Sequence, residues 1–167
     1  MRLFYAIVFF SAGLLLATPN VVYAGPEQDA YQAVVNWAGL VSQCKAGCNV
    51  SQVARQISSN FYTPEALLHP TASDELKVGR PAIEGYFEKT FLPKQPKADL
   101  LDGYKTITVV AGHAYLFVGF YDFGFGRPTP SCVRARYSFL MVLDAGKWLI
   151  AHQHSSKLPE HPECRPQ

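Results

Sequence analysis

Between Tyr104 and His154 the sequence reads as one strand after another. Lys105 to Val110, Ala114 to Phe123, Cys132 to Leu143 and Trp148 to Ser155 are all rich in aromatic and β-branched residues. Turn chemistry separates them: Ala111-Gly112-His113 and Asp144-Ala145-Gly146-Lys147 are tight connections, and Gly124 to Pro130 is a longer loop. What precedes these strands has a different period. From Glu27 to about Gln43, Tyr31, Val34, Val35, Ala38 and Val41 recur every three or four residues, one face of a helix that Gly47 ends. Asn49 caps a second short helix whose stripe is Val50, Val53, Ala54 and Ile57. A third opens at Gly79-Arg80-Pro81, where proline suits the first turn, and is lined by Ile83, Tyr86, Phe87, Thr90 and Phe91. Between the second and third, Glu65 to His69 is a short strand and Thr71 to Asp74 a turn; Leu92 to Asp102, with Pro93 and Pro96, reads as a connection. Helices first and antiparallel strands after them predict an α+β domain.

The first 24 residues stand outside that domain. Arg2 precedes an apolar run from Leu3 to Leu16, too short to span a bilayer comfortably, and Val22-Tyr23-Ala24 suits a signal peptidase. The expected organisation is a leader over 1–24, one domain over 25–158 and a polar, Pro-containing tail over 159–167. The expected destination is the periplasm or the exterior. Losing Arg2 leaves 14 basic residues against 13 acidic ones, with no dense basic cluster, so neither nucleic acid nor an anionic membrane is an expected partner. All four cysteines, Cys44, Cys48, Cys132 and Cys164, follow the cleavage point, and in an oxidising compartment an even count reads as two disulfides. Three pairings are open. The turn Lys45-Ala46-Gly47 favours Cys44 with Cys48, leaving Cys132 for Cys164. Asn49-Val50-Ser51 also fits a glycosylation acceptor, a motif too common to carry a function.

Four short motifs then occur in order: Tyr62-Thr63-Pro64-Glu65-Ala66-Leu67, Gly79-Arg80-Pro81-Ala82-Ile83 with Tyr86-Phe87, Ala135-Arg136-Tyr137-Ser138-Phe139, and Gly146-Lys147-Trp148-Leu149-Ile150-Ala151-His152-Gln153-His154-Ser155-Ser156 followed by Pro159. Together they resemble the association (hub) domain of calcium/calmodulin-dependent protein kinase II and its bacterial SnoaL-like relatives, within the nuclear transport factor 2-like superfamily. The resemblance implies a cone in which a curved antiparallel sheet wraps a long first helix, with a pocket between them and assembly into dimers or rings. It does not imply kinase activity, because the chain has no glycine-rich phosphate loop, catalytic Asp loop or Asp-Phe-Gly. Among the residues it touches, Arg136 and His154 match the bacterial relatives and His152 the hub domain.

Strand alternation puts Arg134, Arg136 and Ser138 on one face and Tyr137, Phe139 and Met141 on the other; His152 and His154 share a face. If the first of those faces lines the cone, Arg136 and His154 hold an anionic or carbonyl group of a small, partly apolar molecule, with His152, Tyr62 and Tyr121 beside them. The plainer alternative pairs Arg136 with Glu84 or Asp122 and leaves the histidines structural. An acid–base enzyme acting on a carbonyl compound, an isomerase, cyclase or dehydratase, would draw on His69, Asp74, Tyr62 and Asp122. A third alternative is assembly alone, in which sheet surfaces pair and side chains fill the pocket. Two histidines, His152 and His154, are too few for a metal site, and no cofactor is expected.

Overall fold

The computed structural model describes residues 25–159, so the expected leader and all but the first residue of the expected tail lie outside the described residues. Helix α1 (Pro26–Val41) starts with proline in its first turn and carries Glu27 and Asp29 there, where acidic groups complement the helix dipole. It buries Ala30, Val34, Trp37, Ala38 and Val41; Val35, expected in the stripe, faces out, and Trp37 takes the central place. The Ser42 hydroxyl, just past the helix, donates to Ala38 O and accepts from Ala98 N at 2.9 Å, tying the helix end to the sheet edge. A disulfide joins Cys44 and Cys48 across the turn before α2 (Val50–Phe61). The expected cap is in place, with Asn49 Oδ1 accepting from Gln52 N at 3.1 Å. Cys132 is also disulfide-bonded, while Cys164 lies outside the described residues.

The chain passes directly from α2 into β1 (Tyr62–His69), three residues earlier than expected. A two-residue strand, β2 (Lys77–Val78), leads into α3 (Gly79–Tyr86). Gly79 has φ +74°, and a Cβ there would lie 3.1 Å from the Pro64 carbonyl, so the junction calls for glycine on two grounds. The helix widens over Phe87–Phe91 and tightens over Leu92–Lys94 before β3 (Pro96–Leu100). That strand falls within the stretch expected to be a connection. Pro96 obscures it in sequence, yet proline is tolerated at the start of an edge strand, and β3 pairs only with β5. Then follow β4 (Lys105–Val110), β5 (Ala114–Phe125), β6 (Ser131–Asp144) and β7 (Lys147–Lys157).

The seven strands form one curved, unclosed sheet in the order β2-β1-β7-β6-β5-β3, with β4 also on β5. It is mixed rather than wholly antiparallel, because β7 inserts between β1 and β6 and runs parallel to β1. The inner face carries Tyr121, Phe123, Ala135, Tyr137, Phe139, Met141, Ile150 and Gln153, and the helices close over it. Trp37 packs edge-on against Phe139 with ring centroids 5.2 Å apart, and against Phe87 of the widened turn. Burying side chains of this size supplies about 1.5–3 kcal/mol each. On β7 the register shifts at Ala151: Ile150 pairs with Met141 and His152 with Leu140. That bulge sends Ile150 into the core and leaves His152 and His154 on the outer face.

Candidate functional site

The five residues expected to share a ligand site lie on opposite sides of the sheet. Tyr62 and Tyr121 are fully buried inside, whereas Arg136 and His154 are exposed and His152 half-buried on the outer face. The expectation that Arg136 and His154 line the cone is therefore corrected. Their alternating neighbours Tyr137, Phe139 and Met141 are the larger apolar set, and the hydrophobic effect turns that set towards the helices.

Inside, Tyr62 donates its hydroxyl hydrogen to Gln153 Oε1, and Arg80 Nε anchors the Tyr62 carbonyl at 2.8 Å. Tyr121 Oη and Trp37 Nε1 are buried without hydrogen-bond partners among the described residues. Burial pushes the Tyr62 and Tyr121 phenols well above their ordinary range, so both stay protonated donors. The space these groups share, bounded by Trp37, Tyr86, Phe91, Tyr121, Gln153 and Ser155, is a cavity of about 20 Å³. Room of that order holds one water molecule. Trp37, which the helix periodicity left out of its stripe, is what fills the cone; its place at the centre of the buried α1 face is the signal that could have found it.

Outside, two register rows cross three strands: Val118, Ser138 and His154 in one, Phe120, Arg136 and Ser156 in the next. Together with Gly103 and Lys105 they line a groove of about 440 Å³. Arg136 Nε donates to Ser156 Oγ at 2.8 Å. Neither Glu84 nor Asp122 pairs with Arg136. Asp122 accepts two bonds of 2.6 Å from Arg134, a bidentate fork, and Glu84 accepts from Ser58 and faces Arg55. Among the described residues the groove holds three basic groups, Lys105, Arg136 and His154, and no carboxylate. Sequence reasoning missed Lys105 and Phe120, which reach the groove only through strand pairing.

His69 joins the two outer histidines. It lies directly across the parallel β1–β7 pair from His154, with ring centroids 5.9 Å apart, and 6.4 Å from His152. Burial, then the neighbouring His69 and His154, lower the His152 pKa below its ordinary value. Among the described residues no three His, Cys, Asp or Glu side chains are placed to hold a metal ion. The residues an acid–base enzyme would use are dispersed: Tyr62 inside, His69 outside, Asp122 locked to Arg134 and Asp74 exposed in a turn.

The sequence over residues 50–159 matches the family described as calcium/calmodulin dependent protein kinase II association domain. The chain belongs to that family. A solved structure from Xanthomonas campestris described as such an association domain is 30% identical, with a TM-score of 0.68 over 87% of this chain and 95% of that one. A nuclear transport factor 2-like superfamily protein from Salmonella enterica serovar Typhimurium (15% identity, TM-score 0.64, 83% and 94% covered) shares the fold, as does the association domain of the Caenorhabditis elegans kinase II (12%, 0.56, 78% and 94%). No curated protein matches the sequence.

Proposed function

We propose that this association-domain protein is an exported assembly module in which two copies pair through the outer faces of their sheets. The observation that carries the reading is the apolar content of that face. Ile107 is 57% exposed, Val110 53% and Phe120 47% on one side, and Val78 58% and Leu67 37% on the other. Exposed apolar side chains gathered on one face mark an interaction surface. A second copy is the occupant that the family's name favours, since a two-fold axis lets the same apolar patch cover itself on both copies. The nearly filled cone supports the same reading, since a 20 Å³ cavity leaves no space for an organic ligand.

A second reading rests on the outer groove, whose Lys105, Arg136 and His154 suit a small carboxylate-bearing, partly apolar molecule lying along Phe120. One experiment addresses the whole proposal: native mass spectrometry of the protein expressed with its leader, beside the Ile107→Asp/Phe120→Asp and Arg136→Ala variants. The expected outcome is a mature chain beginning at Gly25, a dimer or larger ring for wild type, and monomer for the double variant. A monomeric wild type at 100 µM, on the order of a weak interface's Kd, would overturn the assembly reading. An extra small-molecule mass lost in Arg136→Ala would establish the second reading.

A further inference from the structure

Three imidazoles, His69, His152 and His154, stand together on the outer face, and among the described residues no hydrogen bond or ion pair engages any of their rings. They occupy the middle of that face. Leu67 and Val78 flank them towards the β2 edge, Leu140 and Ser138 of β6 lie beside them, and Phe120 and Ile107 follow beyond. A second copy that covers both apolar flanks also covers the histidines.

We infer that protonation of this trio controls the pairing of copies: neutral imidazoles are buried in the interface, and imidazolium ions drive the copies apart. The inference rests on the pairing reading above. A neutral imidazole can pack against Leu67 or Leu140, whereas an imidazolium without a carboxylate partner cannot be taken out of water cheaply. The surroundings supply little relief. From β1 the charged groups on this face are His69 and, four positions earlier, Glu65; from β7, His152 and His154; from β6, Arg136, which adds to the repulsion; β2 presents Val78 here, because Lys77 pairs with the buried Leu68 and lies on the other face. Two copies face to face would bring up to six imidazoles and two Arg136 side chains together.

Linkage sets the size of the effect. A histidine with the ordinary pKa of about 6.5 that must be neutral in the pair weakens association roughly tenfold between pH 7.5 and 5.5, and one such group per copy gives roughly a hundredfold. The low pKa of His152 moves its share of that loss to the acid end of the range.

The test is sedimentation equilibrium of the mature protein at pH 7.5 and 5.5, beside His69→Gln/His152→Gln/His154→Gln and the single exposed variant His154→Gln. Circular dichroism at both pH values reports that each remains folded. The expected result is a rise in the wild-type dissociation constant of at least tenfold on acidification, abolished in the triple variant and reduced in the single one. A dimer with the same dissociation constant at both pH values, or equal acid sensitivity in wild type and both variants, overturns the inference and leaves the pairing reading standing. A wild type that is monomeric at both pH values overturns the pairing reading itself.

Discussion

Replacing Gly119 with alanine sets two opposed effects against each other. In a strand interior alanine is ordinarily favoured over glycine by about 0.5–1 kcal/mol, because glycine loses more backbone freedom on folding. Here a Cβ at 119 would stand 2.6 Å from Tyr137 Oη and 2.8 Å from its Cζ, well short of the 3.4 Å of ordinary contact. The ring in its path is not a free end. Tyr137 is buried opposite Gly119 in the β5–β6 register, with the Tyr121 and Phe139 rings each 5.1 Å away between centroids. Forcing a rigid ring aside in a packed interior costs about 1–3 kcal/mol, so the steric term wins and Gly119→Ala destabilises by about 1–2 kcal/mol. In a Tyr137→Leu background the obstacle is gone, and the same substitution becomes neutral or stabilising by up to about 1 kcal/mol. Urea unfolding of the four proteins of this double-mutant cycle measures a coupling of about 1–3 kcal/mol between the two positions. If Gly119→Ala proved neutral or stabilising with Tyr137 present, the reasoning would fail.

Two further substitutions probe local structure. Asn49→Ala removes the acceptor for Gln52 N and should cost about 1 kcal/mol, read from the urea midpoint. Cys44→Ser/Cys48→Ser opens a loop with a sequence separation of 4, for which chain entropy predicts a loss of roughly 2 kcal/mol; a midpoint unchanged from wild type would mean the bridge does not restrain the unfolded chain.

The period of each segment determined most of the fold before any contact was known. The 3.6 pattern of α1, the Asn49 cap, the proline in the first turn of α3 and the aromatic strands after Tyr104 are local signals, and each element formed where its residues prefer to be. Alternation along β6 likewise sorted Arg134, Arg136 and Ser138 from Tyr137, Phe139 and Met141. The sequence even held the means to orient the two sets, since the larger apolar one belongs against the helices.

Tertiary structure decided what local pattern cannot carry, namely which strand lies beside which. The parallel β1–β7 pair joins residues more than 80 positions apart and brings His69 to His154. Strand β3 exists because β5 offers it an edge, despite the proline that opens it. Register across β5, β6 and β7 assembled the outer groove from Phe120, Arg136 and His154, and it placed Asp122 against Arg134 rather than Arg136. Composition and periodicity are properties of neighbours along the chain. Pairing and register are chosen by the whole core at once, because shifting one strand by a single residue would turn its buried side chains into water.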